Sequence, residues 1–121
     1  MKPKEVKFRA WSYQNKEMYY WGDGFNYRWF ECEPTCHAIM QFTGLKDCKG
    51  NDIWEGDILK PAKNPKGNPK YYFINYEVYY DKYKWRLIGK LGSTLNFGIV
   101  NDARIKWEVV GNIYENSELL T

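Results

Sequence analysis

Met40-Gln-Phe-Thr-Gly-Leu-Lys-Asp-Cys-Lys-Gly-Asn-Asp-Ile-Trp-Glu-Gly-Asp-Ile-Leu-Lys60 reads as a turn followed by a strand. Asp47-Cys48-Lys49-Gly50-Asn51 has the composition of a tight connection, because Asp closes an Asx turn on its own backbone and Gly50 takes a positive φ without steric cost. Thr43 and Gly44 let the chain bend before it. Ile53 and Trp54 then start an apolar run that breaks at Glu55-Gly56-Asp57, a second turn, and Ile58-Leu59-Lys60 resumes as a strand. Asp47, Glu55 and Asp57 have a functional reading as an acidic site and a plainer one as turn chemistry. The plainer one is preferred, since Asp and Gly so often punctuate loops.

Outward from this stretch the dominant period is two. Val6, Phe8 and Ala10 alternate with Lys7 and Arg9; Phe25, Tyr27 and Trp29 with Asn26 and Arg28; Ile105, Trp107 and Val109 with Lys106 and Glu108. Such alternation marks half-buried antiparallel strands. Met18-Tyr-Tyr-Trp21 leads into Gly22-Asp-Gly24, a hairpin turn by composition, and His37 to Phe42 forms another strand after Pro34. Residues 61–70, with three prolines and lysines lacking acidic neighbours, form a basic loop. Beyond it Tyr72, Ile74, Tyr76, Val78 and Tyr80 share a core-facing parity, while Tyr71, Phe73, Asn75, Glu77 and Tyr79 face away. Asp81-Lys82 turns the chain, and the returning strand puts Tyr83, Trp85 and Leu87 on one face and Lys84 and Arg86 on the other. At the end of the chain, Asn116 is placed to cap a short helical turn carrying Ser117 and Glu118.

These elements predict a mainly β domain over residues 1–121, an antiparallel, strongly bent sheet or small SH3-like barrel with extra N-terminal strands and a short C-terminal helical turn. A chain of 121 residues is long enough to bury a core without disulfide staples. The mean hydropathy of −0.71 and the charges interrupting every apolar stretch give no membrane span, and no signal-peptide pattern opens the chain. Three Cys, an odd number, fit reduced thiols in a cytoplasm. The net charge of +3 permits an anionic partner without requiring one.

Three blocks carry a family likeness: Met40 to Lys60, the opening Lys7-Phe-Arg-Ala-Trp-Ser-Tyr-Gln-Asn-Lys-Glu-Met18, and the closing Trp107-Glu-Val-Val-Gly-Asn-Ile-Tyr-Glu-Asn-Ser-Glu-Leu-Leu120. In order and position they resemble the YopX-like proteins, a family encoded mainly by bacteriophages and prophages. Asp47, Gly50, Glu55, Gly56 and Asp57 are its central turn motif here. The family typically has Pro where this chain has Ser117; both suit the first helical position. The resemblance implies a bacterial host cell as the setting and no established activity.

Catalytic signals are thin. Cys36 beside His37 suggests a nucleophile and base, but adjacent strand residues point to opposite faces. Cys32, Cys36, His37 and Cys48 number four zinc-type ligands at a spacing that matches no familiar zinc module. No phosphate loop or nucleophile elbow is present. The chain is therefore expected to be non-enzymatic, without cofactor or metal. The preferred binding surface joins Lys63, Lys66 and Lys70, which follow phosphates, to Tyr71, Phe73 and Tyr79, which stack bases, with Lys84 and Arg86 extending the positive face. The same rings serve protein contacts, so the expected partner is a nucleic acid, slightly preferred, or a host or anti-phage defence protein that the chain inhibits. A sponge for a nucleotide messenger is a lower-ranked variant. Pairing of copies through sheet edges or faces is compatible with so many rings.

Overall fold

The computed structural model describes residues 6–22, 24–25, 36–61, 75–82, 84–89, 94–101 and 106–120. Among the described residues ten strands run in chain order: β1 (Phe8–Ser12), β2 (Glu17–Trp21), β3 (Gly24–Phe25), β4 (His37–Lys46), β5 (Asp52–Trp54), β6 (Asp57–Pro61), β7 (Tyr76–Asp81), β8 (Lys84–Gly89), β9 (Thr94–Asn96) and β10 (Trp107–Asn112). Short 3-10 turns cover Phe97–Asn101 and Ser117–Leu120. The architecture is mainly antiparallel β, as expected. Two five-stranded sheets form, in the orders β3-β2-β1-β4-β5 and β10-β6-β7-β8-β9.

The second sheet is an antiparallel meander from β6 to β9, to which β10 returns beside β6. Its period-two pattern sorts side chains as the alternation predicts. Tyr76, Val78 and Leu87 are buried, and Val78 sits directly opposite Leu87. Leu59, Leu95, Phe97 and Trp107 complete the cluster, with Ile53 contributed from the first sheet. The edge of the Tyr76 ring meets Trp107 at 5.6 Å between centroids, a favoured aromatic geometry. Tyr80 shares the parity of Tyr76 and Val78 but lies at the strand end and is exposed, its ring against Trp85.

The first sheet departs from its reading at two points. Arg9 was expected to face water and is instead buried, so both faces of β1 are covered. Its charge is tolerated inside because Asp57 meets it from β6. The Gly22 hairpin also gives way: β2 takes β1 as its antiparallel partner through a turn at residues 13–16, and β3 pairs with β2 in parallel register. Lys16 adopts φ 55° to close the earlier turn, and Ser12 Oγ accepts from Asn15 N–H at 3.1 Å. Of the expected strand through Tyr27 and Trp29, only Phe25 falls within the described residues.

β4 runs past Phe42 to Lys46, and the pairing of β4 with β5 shifts register between Phe42 and Lys46. Gly44 lies in that interval with φ 91°, the bend foreseen there. The C-terminal turn forms where predicted, but Asn116 does not cap it with its side chain. Asn116 Oδ1 instead accepts from Asn112 N–H at 3.2 Å, and its backbone carbonyl accepts from Leu119 N–H. The basic loop at 62–70 lies outside the described residues.

Candidate functional site

Two regions gather the candidate residues that fall within the described structure: the β7–β8 hairpin and the joint where the two sheets meet. On the hairpin, Tyr79 lies directly opposite Arg86 and Asp81 opposite Lys84. Strand alternation places Glu77, Tyr79, Asp81, Lys84, Arg86 and Ile88 on one face. Three of the expected binding residues thus come together. The face is mixed in charge, because Asp81 Oδ2 stands 3.1 Å from Arg86 Nε. Lys63, Lys66, Lys70, Tyr71 and Phe73 lie outside the described residues.

The joint is built from the turn-motif residues. Asp47 Oδ1 accepts from Lys49 N–H at 2.9 Å and Asn51 N–H at 2.8 Å, while its Oδ2 accepts from Val109 N–H at 3.0 Å. Gly50 takes φ 86° to let the loop close on this carboxylate. One side chain thereby shapes the β4–β5 connection and satisfies a backbone donor of β10. In the next turn Asp57 Oδ2 accepts from Trp54 N–H at 2.8 Å, and Asp57 Oδ1 receives Arg9 Nη2 at 2.7 Å. The side chains of this ion pair are only 5% and 3% exposed. Glu55 N–H donates to Gln41 O in the first sheet, Gly56 N–H donates to Val78 O in the second, and Gly56 O accepts from Ile113 N–H.

Charge in the joint is set by burial and hydrogen bonding against each other. For Asp47, desolvation is outweighed by N–H donors from Val109, Asn51 and Lys49, which hold the carboxyl below its ordinary value. Burial lifts the Glu55 carboxyl, against the Gln41 N–H and the Arg9 charge. Burial and then the Glu55 charge lift Glu77. Tyr114, stacked on Trp11 at 5.8 Å, is pushed up to about 12, chiefly by burial. Turn chemistry accounts for the bonds to Lys49, Asn51 and Trp54, whereas those to Val109, Gln41 and Arg9 tie the turns to distant strands.

Beside the ion pair a cleft of about 290 Å³ opens between the sheets. Arg9 and Asp57 line it, with Tyr20 from β2 and Asn51, Asp52 and Trp54 on one side. Val109, Gly111 and Asn112 of β10 line the other. Asp52 holds Lys7 Nζ at 2.7 Å and Lys46 Nζ at 3.0 Å. Nothing in the strand pattern of Arg9 announced this role, since its parity read as solvent-facing. The nearest signal was Asp57, three residues after an apolar pair in a motif of turns.

Cys36 and His37 are half-buried and Cys48 is exposed; Cys32 lies outside the described residues. Among the described residues no group of three or more His, Cys, Asp or Glu is placed to hold a metal ion. No helix among them is long and apolar enough to cross a membrane.

The family model described as YopX protein matches residues 7–121, and so spans the joint, the cleft and the hairpin together. The chain belongs to the YopX protein family. A crystal structure of protein EF1440 from Enterococcus faecalis is similar to this YopX chain at 26% identity and a TM-score of 0.66, covering 98% of this chain and 100% of that one. Among curated proteins none matches. Of the residues expected as the YopX turn motif, Asp47, Gly56 and Asp57 make bonds that reach from the turns to other strands, and Gly56 N–H reaches the hairpin strand β7 at Val78 O.

Proposed function

We propose that the protein is a non-enzymatic phage or prophage accessory protein, working in the cytoplasm of a bacterial host, that binds a macromolecular partner through a basic and aromatic surface. A single-stranded nucleic acid is the preferred partner. The observation that supports it most is the hairpin face, where Tyr79 stands beside Arg86 with Lys84 at the strand start, in direct sequence continuity with Lys63, Lys66, Lys70, Tyr71 and Phe73. Cations follow a phosphate backbone and rings stack bases whatever their sequence. No cofactor enters this reading.

The test is titration of a labelled dT20 oligonucleotide with the full chain at rising salt. Saturable binding whose affinity falls linearly on a log–log salt plot is expected. No binding at low salt removes the nucleic-acid partner. A second reading, inhibition of a host or anti-phage defence protein, is favoured by Asp81 and Glu77 on the same face, because mixed charge suits a protein surface better than a polyanion. Partners that stay with tagged chain after nuclease treatment of an infected-cell lysate would support it once their direct binding is reproduced with purified components.

A further inference from the structure

The cleft beside the Arg9–Asp57 pair has the chemistry of a ligand site. A guanidinium carries five N–H donors, yet among the described residues the two acceptors that reach Arg9, Asp57 Oδ1 and Glu55 O, both lie on Nη2. Arg9 Nε–H has no partner among the described residues, although the side chain is 5% exposed. Arg9 lines the cleft with its guanidinium 5.3 Å from the centre of the Trp54 ring, and brings this buried donor without an acceptor to its wall. Its rim offers the reverse: Asp52 presents a carboxylate with about four acceptor positions, of which Lys7 and Lys46 take two. The Tyr20 ring, set edge-on to Trp54 at 5.6 Å and 43% exposed, leaves an aromatic surface at the mouth.

A ligand that fits must be planar, must offer an acceptor to a guanidinium and adjacent donors to a carboxylate, and must be small, since about 290 Å³ is near the lower end of the roughly 300–1,000 Å³ usual for ligand sites. Guanine is the common base that carries a carbonyl acceptor next to two adjacent N–H donors on one edge, the edge by which splayed-out bases are read. Asp52 and Asp57 disfavour a phosphate inside, whereas Lys46, its side chain 64% exposed, is held by the lining residue Asp52 and has further donors to offer one outside. We infer that this cleft holds the base of a guanine nucleotide, edge-on to Arg9 and Asp52 and against Tyr20, with its phosphate toward Lys46 and Lys7. The inference rests on the nucleic-acid reading for its source of ligand, but a free nucleotide presents the same chemistry.

Calorimetric titration of the full chain with GMP, AMP, CMP and UMP tests it, together with dT20 and the same oligonucleotide carrying one central dG. GMP is expected to bind about tenfold or more tightly than the other three. Asp52→Asn should erase that preference, and Tyr20→Ala should weaken every nucleotide, with circular dichroism unchanged in both. Tighter binding of the dG oligonucleotide assigns the ligand to a single strand; GMP selectivity without any binding of dT20 keeps the cleft and removes the single-strand reading. Equal affinity for all four monophosphates, no GMP binding, or a guanine preference that survives Asp52→Asn overturns the inference, even where dT20 binds.

Discussion

Arg9 and Asp57 show how much one buried pair controls. Each side chain is almost wholly removed from water, so the pair contributes little net stability against an apolar replacement, while loss of one partner strands a charge. Asp57→Ala should therefore lower the unfolding free energy by about 3–5 kcal/mol, read as a reduced urea midpoint, and the double variant Arg9→Met with Asp57→Ala should recover part of that loss. A full, undiminished loss in the double variant would show that the turn bond to Trp54 N–H, not the charge, is what matters. Gly111 is a second sensitive position. A Cβ built there would stand 2.5–2.8 Å from Asn116 Oδ1, Cγ and Cβ, the side chain that accepts from Asn112 N–H. Gly111→Ala should cost about 1–3 kcal/mol and lower the melting temperature; an unchanged value would mean that Asn116 swings aside freely.

Among the elements, the β7–β8 hairpin and the turns around it were largely legible in the sequence, because period-two burial and Asp-Gly turn chemistry act locally. Val78 and Leu87 fell on the core face, and Asp47, Gly50 and Gly56 made the turns their types imply. Arg9 was not legible because Asp57, 48 positions on, decides its burial, and the β1–β2 hairpin was missed because its turn is closed by Ser12 and a positive φ at Lys16, with no glycine to mark it. The cleft depends on the same long-range meeting of sheets. The hairpin carries a binding prediction of its own. Lys84→Ser with Arg86→Ser should flatten the salt dependence of dT20 binding by about one unit of slope per lost phosphate contact, and Tyr79→Ala should cost about 1–3 kcal/mol per stacked base with little change in slope. Unchanged binding in both variants, with the fold intact, would rule out this face. Glu77 offers a pH test: its carboxyl is raised by burial and by Glu55, so the folded chain takes up this proton more readily than the unfolded one. Stability from this group is present at acid pH and lost as pH rises above the usual Glu range. Glu77→Gln should then stabilise the protein at pH 7, by under about 1 kcal/mol after solvent screening, and the gain should fade on acidification; a gain that persists at low pH would contradict the charge explanation.

For the molecule as a whole, two families of carboxylates pull the pH profile in opposite senses. Glu55 and Glu77, with raised values, favour folding as pH falls toward the ordinary carboxylate range. Asp47 and Asp52, with depressed values despite their burial, support folding above that range and withdraw support as pH drops through their own lower values. The urea midpoint should thus rise slightly from pH 7 into mild acid and collapse only below the usual Asp value. A monotonic decline from neutrality would show that the Glu pair does not titrate as described. The Glu55–Gly56 turn adds a consequence of another kind. Because Glu55 N–H bonds to the first sheet and Gly56 N–H to the second, neither sheet can open around this turn and leave the other's ladder untouched. The amides of Glu55 and Gly56 should exchange with deuterium only through global opening, making the two sheets one cooperative foldon whose slowest protons sit in a tight turn, where most proteins exchange fastest.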